Sequence, residues 1–253
     1  MTEVYHPLVS IIMTTYNCAD TIDRTLAAVE MQDYDSLEIV IKDGGSKDGT
    51  WQKLQAFQNS STHRVIVRQS GDQGIYDAMN QGFALSHGDV LAFCSDLLTY
   101  PQVVSDMVHA IAEGGPSCVG AHADLVYAQG DEVKRYWHMG RGRIEQGWMP
   151  GHPTLYLKRQ IYETYGLYDA NYRIAADYEF MIRFLKDHPD DLAYVPKVIV
   201  SMYYGGTSTA SASSYWKSLQ EATRALKHNG IPHPWLVNAR RTIRLVRQMH
   251  VRP

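Results

Sequence analysis

The sequence predicts an α/β protein built on a mostly parallel central sheet flanked by helices, and three observations carry that prediction. Over the first hundred residues, short continuous apolar runs alternate with segments of helical periodicity. The runs are rich in β-branched residues, as strands covered on both faces are. Each ends in a polar or glycine-containing stretch, and open α/β sheets bind ligands at such strand C-terminal ends.

Leu8 to Met13 (LVSIIM) is the first run, and TTYN stops it. Asp20 is placed to cap a helix carrying Ile22, Leu26 and Val29 inward. Leu37 to Gly45 (LEIVIKDGG) is a second strand entering a turn, followed by a helix marked by Trp51, Leu54 and Phe57. His63 to Gln69 forms a third strand, Ile75, Met79 and Phe83 mark one face of a third helix, and Asp89 to Asp96 (DVLAFCSD) is a fourth strand ending in a carboxylate. Past Pro101 the pattern becomes mixed. Val104, Met107, Val108 and Ile111 define a helix, and the strands DLVYA and EVKRYW follow without clear βαβ alternation. Residues 141–157, rich in Gly, Pro and long polar side chains, read as a functional loop. A helix with Phe180, Met181, Phe184 and Leu185 begins at Asp177, and LAYVPKVIVSMYY is a late strand with Pro196 at a bulge or edge. No repeat, low-complexity tract or Pro/Ser-rich linker divides the 253 residues, so they read as one domain with sub-regions at about 1–100, 101–230 and 231–253.

Composition excludes several classes. With 45% hydrophobic and 20% charged residues the chain is neither disordered nor fibrous. A net charge of −3 gives no basic field for nucleic acid. Cys18, Cys94 and Cys118 are too scattered for a disulfide framework or zinc site, which favours a reducing compartment and a cytoplasmic location. No run of about 18 apolar residues occurs, and MTEVYHP lacks the marks of a signal peptide, so any membrane role is expected to be peripheral.

Six polar clusters could carry chemistry. TTYN and KDGGSKDGT each follow an apolar strand, as a nucleotide cradle does, and Asp43 could accept from a base or ribose; Asp43, Gly44 and Gly45 read equally as a tight turn and Asp48 as a helix cap. Neither stretch is a GxGxxG or GxxxxGK[ST] motif, which removes the main support for dinucleotide and P-loop readings. In GDQGIYDAMNQG, Asp72 and Gly74 follow a strand while Tyr76, Asp77 and Asn80 share helical spacing. Asp96 is placed either to hold a divalent cation against phosphate or to form a turn. Asp177 and Glu179 begin a helix, where carboxylates also serve as ordinary caps. His152, in GHPT, is a lone histidine of the kind most often satisfied locally.

Taken in order, LVSIIMTTYN, EIVIKDGGSKDGT, GDQGIYDAMNQGFALSHGDVLAF and GHPTLYLKRQIYETYGLYDANYRIAADYEFMIRF closely resemble the inverting family 2 glycosyltransferases of A-type fold, particularly those that build bacterial surface polysaccharides. The resemblance runs from about Val9 to about Tyr204. It implies a Rossmann-like half that binds a nucleotide-diphosphate sugar, with UDP-sugars favoured, and a second half that holds a glycan or lipid-linked acceptor. By that resemblance Thr14, Tyr16, Asn17, Asp43, Asp72, Gly74 and Tyr76 belong to the donor site, Asp43 reads the base, and Asp177 is the catalytic base. His152 and Glu179 become acceptor or donor-sugar contacts. Transfer with inversion needs a base for the acceptor hydroxyl, and such enzymes usually offset the leaving diphosphate with Mg²⁺ or Mn²⁺. Here the sequence departs from its relatives, which carry two adjacent carboxylates where this chain has Cys94-Ser95-Asp96-Leu97-Leu98, so Asp96 alone can serve. The departure keeps a binding module without turnover as a rival; a sugar-phosphate nucleotidyltransferase, the other rival, lacks its basic Gly-rich loop.

The tail beyond Trp235 has five arginines and no acid, with Leu236, Ala239, Ile243, Val246 and Met249 on one helical face. It reads either as a basic amphipathic helix for an anionic membrane or as a final helix packed on the domain.

Overall fold

The computed structural model describes residues 5–204 and 212–248. β1 (Val9–Thr15), α1 (Ile22–Glu30), β2 (Leu37–Asp43), α2 (Thr50–Ser60), β3 (Arg64–Gln69), α3 (Ile75–Leu85) and β4 (Val90–Phe93) alternate as the apolar runs predict. β1 pairs in parallel with β2 and β4, and β2 with β3. Side chains alternate across the sheet: Ile11, Met13, Ile39 and Ile41 join one core with α1, α2 and α4 (Val103–Glu113), whereas Ile12, Val40 and Leu91 join a second. This two-sided burial is why the central strands are continuously apolar.

The second half comprises β5 (Leu97–Leu98), β6 (Gly120–Gln129), β7 (Glu132–Trp137), β8 (Tyr156–Lys158), α5 (Arg159–Tyr165), α6 (Ala176–Leu185), β9 (Leu192–Tyr203), α7 (Ala212–His228) and α8 (Pro234–Gln248). The sheet order is β3-β2-β1-β4-β8-β6-β9-β5, with β7 added to β6. β8 runs antiparallel to both β4 and β6 and so joins the two halves in one sheet. Pro196 lies in a bulge: Ala123 pairs with Val195 but Asp124 with Val198.

Four expectations need correction. Asp20 does not cap α1; Thr21 holds the cap position without a side-chain bond, and the Thr21 and Ile22 amides donate to the Cys18 carbonyl. The fourth strand stops at Phe93, because the chain turns at Cys94–Asp96 to reach β5. The stretch 141–157 is not all loop: it holds one-turn 3₁₀ helices at Ile144–Gln146 and His152–Thr154, and Tyr156 and Leu157 are buried in β8.

The fourth concerns the tail. α8 packs on the domain through Val237 and Asn238, which are buried, while the expected inward positions Ile243 and Val246 are each 51% exposed and Trp235 is 68% exposed. Three arginines, Arg240, Arg241 and Arg244, contact the domain instead. Arg240 donates to the Glu145 carbonyl at 2.7 Å, Arg244 to that of Gln146 at 3.2 Å, and the Arg241 guanidinium lies 4.4 Å from the Tyr178 ring centre. Backbone carbonyls of the 3₁₀ turn need donors, and Gly147, at φ +70° and against the backbone of Arg240 and Arg241, admits the helix closely enough to supply them. Met249 and Arg252 lie outside the described residues.

Candidate active site

The donor-side cluster forms where β1, β2 and β3 end together. Asn17 adopts a left-handed φ of 46°, accepts from the Lys47 amide at 2.9 Å and donates its own amide to Ser46 Oγ at 2.8 Å, joining the loops after β1 and β2. Asp48 adds a second tie, accepting from the Ala19 amide and from Thr50; these donors push its pKa down to about 2. Gly49, not Asp48, holds the cap position of α2, so Asp48 acts as a tie between the loops rather than as the expected helix cap.

Asp43, wholly buried, is the organiser of this end. Oδ1 accepts from Ser46 Oγ at 2.5 Å and Thr15 Oγ1 at 3.1 Å, and Oδ2 from the amides of Gly45 and Ser46 and from Gln69 Nε2, all within 3.0 Å. Burial acts to raise its pKa, but the donors from Ser46, Gln69 and Gly45 outweigh it and hold the carboxyl below its ordinary value. The tight-turn reading of Asp43–Gly45 is thus realised, and the carboxylate is saturated by the protein's own donors.

Beneath this turn lies a group the motifs did not identify. Lys42 is completely buried and donates to the carbonyls of Asp43 and Ser70 and, at 2.8 Å, to Asp72 Oδ2. Asp72 Oδ1 accepts from the Gly74 amide at 3.1 Å, where φ of +123° suits glycine. A Cβ on Gly44 would stand 2.9 Å from Asp72 Oδ2 and 3.2 Å from Tyr16, so glycine is what lets the three meet. Tyr16 is 66% exposed and stands over the mouth. The Thr14 amide donates to Ser95 Oγ at 2.9 Å, tying β1 to the Cys94–Asp96 turn.

Asp96 is half-buried, and none of the hydrogen bonds or ion pairs among the described residues reaches its carboxylate. Burial without a counter-charge pushes its pKa up to about 6.

The other side of the site is the start of α6. Asp177 sits in its first turn, and Tyr76, from α3, brings its hydroxyl within 3.0 Å of Asp177 Oδ1 and 2.8 Å of the Ile174 carbonyl. One turn on, Asn80 makes reciprocal bonds with the amide and carbonyl of Tyr168. From α7, Glu221 accepts from the amides of Arg173, Ile174 and Ala175. His152 Nε2 lies 2.7 Å from the Tyr168 hydroxyl; burial pushes the imidazole pKa below its ordinary value, with the Asp177 charge acting the other way.

Thr14, Tyr16, Asn17, Asp43, Asp72 and Gly74 thus gather at the strand ends, Tyr76 links them to Asp177, and His152 lies behind Tyr168. Glu179 does not join them. It is 2% exposed on the opposite side of α6, where Arg183 Nε donates to it at 2.9 Å and Asn229 at 3.2 Å. The i,i+4 spacing to Arg183 was the available signal.

The sequence pattern of Glycosyl transferase family 2 matches residues 10–184. The chain belongs to this family. A PGL/p-HBAD biosynthesis glycosyltransferase of Mycobacterium tuberculosis is 31% identical over 229 residues, covering 86% of each chain. Glycosyltransferase AglE of Haloferax volcanii is 33% identical over 127 residues, 49% of this chain and 42% of that protein. Among solved structures, S. aureus TarS 1-349 in complex with UDP-GlcNAc superposes with a TM-score of 0.71 at 15% identity, covering 93% of this chain and 72% of that one. The mannosyltransferase PcManGT from Pyrobaculum calidifontis, in complex with GDP-Man and Mn²⁺, superposes at 0.62 and 17% identity over 99% and 77%. The chain spans 43% of the longer TarS chain. The shared architecture is the A-type glycosyltransferase fold, with its curled sheet flanked by helices.

Family 2 enzymes commonly use a divalent metal. Among the described residues no group of three or more His, Cys, Asp or Glu side chains gathers as a metal cage. One carboxylate without a hydrogen-bond or ion-pair partner among the described residues, in the turn between β4 and β5, nevertheless suits Mg²⁺ or Mn²⁺, which are commonly held by one or two carboxylates together with substrate phosphates. Asp96 would be that ligand. Such an ion, when bound, offsets charge on a leaving diphosphate.

Proposed function

We propose that this family 2 glycosyltransferase is an inverting enzyme that moves a sugar from a nucleotide-diphosphate donor, with UDP-sugars favoured, to a hydroxyl of a glycan or lipid-linked acceptor in surface polysaccharide synthesis. The observation that carries the reading is Asp177. Its Oδ1 is engaged by Tyr76, while among the described residues no donor reaches Oδ2. In the proposed step the acceptor oxygen attacks the anomeric carbon, the bond from that carbon to the phosphate oxygen breaks with its electron pair, and the acceptor proton passes to Oδ2. The ends of β1, β2 and β3 hold the nucleotide, with Tyr16 and Asp72 at the mouth and Asp43 shaping the turn beneath. The nucleotide sugars in the TarS and PcManGT complexes support a donor of this class, and the mycobacterial relative's name supports a biosynthetic role.

We also propose action at the inner face of the cytoplasmic membrane. No helix among the described residues is long and apolar enough to cross a bilayer. The exposed Trp235, Ile243 and Val246 of α8 offer a peripheral apolar contact in its place. Incubation with a panel of nucleotide sugars, Mn²⁺ and glycan or lipid-linked acceptors tests the reaction. Transfer with inverted anomeric configuration is expected; donor binding without hydrolysis or transfer across the panel would overturn the enzymatic reading.

A further inference from the structure

Tyr76 was expected to touch the donor, yet its hydroxyl is turned toward the start of α6. It reaches across 101 residues of sequence to Asp177 Oδ1 and also lies against the Ile174 carbonyl two residues before the helix. Burial, followed by the neighbouring Asp177 charge, pushes its pKa upward, so the phenol keeps its proton and acts as a donor.

We propose that Tyr76 is a positioning residue for the base: it engages Asp177 Oδ1 and thereby leaves Oδ2 as the atom that accepts the proton. The proposal rests on the reading of Asp177 as base. Two features separate positioning from simple support of the loop. The lead-in to α6 is anchored independently, by Glu221 on the amides of residues 173–175 and by Asn80 on both backbone groups of Tyr168. Removing the phenolic oxygen therefore leaves the Asp177 backbone held and frees chiefly the carboxylate rotamer. Tyr76 also lies in the first turn of α3, four residues after Asp72, whose Oδ1 accepts from the Gly74 amide at the entry to that helix. The donor loop and the group that orients the base thus share one rigid helix start, and the base is aligned relative to the donor.

Steady-state kinetics on Tyr76→Phe, Asp177→Asn and the double variant test this. Tyr76→Phe is expected to lower kcat roughly ten- to a hundredfold, with donor and acceptor KM within about twofold of the parent, because rotamer alignment matters in the transition state. The double variant is expected to be no slower than Asp177→Asn alone, since Tyr76 acts through that carboxylate. A raised donor KM at unchanged kcat makes Tyr76 a donor contact and overturns the proposal. So do unchanged kinetics, additive losses in the double variant, or a fall in melting temperature of more than about 5 °C, which would make the role structural. Full turnover in Asp177→Asn is a different failure, that of the base reading itself, and shows without reference to Tyr76.

Discussion

Lys42 Nζ lies 2.8 Å from Asp72 Oδ2, with the lysine side chain wholly buried and the aspartate 17% exposed at the mouth of the site. The cost of desolvating the ammonium is offset by three acceptors, two of them carbonyls at the ends of β2 and β3. Lys42→Met keeps the volume but takes the ammonium from all three, of which the Asp43 carbonyl keeps the Ser70 amide. Stability should fall by about 2–3 kcal/mol in urea unfolding, and nucleotide affinity by roughly tenfold as Asp72 loses its orientation. Unchanged affinity by calorimetry would separate Asp72 from the donor.

Asp177→Asn should reduce transfer by about 10²- to 10⁴-fold while donor affinity stays near that of the parent, the scale for loss of a positioned base. Near-normal turnover would place the base elsewhere. Glu179, the nearest carboxylate in sequence, is not the substitute, because Arg183 and Asn229 occupy it in the interior.

Asp96→Asn should abolish most of the gain in nucleoside-diphosphate affinity that Mn²⁺ brings, and leave metal-free affinity within about twofold. Calorimetry with and without Mn²⁺ reads both arms. An undiminished metal effect would remove Asp96 from the cation.

His122 gives the fold a pH dependence away from the site. It is buried, its Nδ1 has no hydrogen-bond partner among the described residues, and burial followed by the Arg141 charge pushes its pKa down to about 3. The unfolded chain takes up a proton near pH 6.5, while the native state does so only near pH 3. Stability from this residue is therefore complete above about 6.5 and lost as pH falls toward 3, at on the order of 1 kcal/mol per unit. His122→Phe should flatten that slope; an identical slope in urea unfolding between pH 6.5 and 4.5 would contradict the assignment.

Vesicle co-sedimentation tests α8. Because Arg240, Arg241 and Arg244 contact the domain, attachment should depend on Trp235 and Ile243 and respond weakly to salt. A Trp235→Ala/Ile243→Ser variant should lose vesicle binding and keep its melting temperature. Equal partitioning of variant and parent would sink the membrane contact.

The donor half was legible because β1, β2 and β4 are buried on both faces, so runs such as SIIM and EIVI mark the first two without help from periodicity. The same reasoning missed β8, a three-residue strand whose Tyr156 and Leu157 sit between Pro and Lys in a stretch that looks like loop. It reversed the buried face of α8, because arginines there satisfy carbonyls that no sequence pattern reveals. At the site, Asp43, Asp72 and Asp177 were legible as polar groups at loop and helix starts, whereas Glu179, read alongside them, turns into the interior. The partners of these groups were not legible: Asn80 and Glu221 act through backbone groups remote in sequence, and Lys42 stands in a strand that also carries Glu38 and Asp43, so its charge alone did not mark it.

The antiparallel insertion of β8 between β4 and β6 has a consequence for the order in which competence is acquired. β1 through β4 pair within the first hundred residues, whereas α6 follows β8, which enters the sheet beside β4 from more than fifty residues downstream. The two sides of the candidate site therefore face each other only where β8 bridges β4 and β6, and a refolding chain is expected to regain transfer only with completion of that sheet.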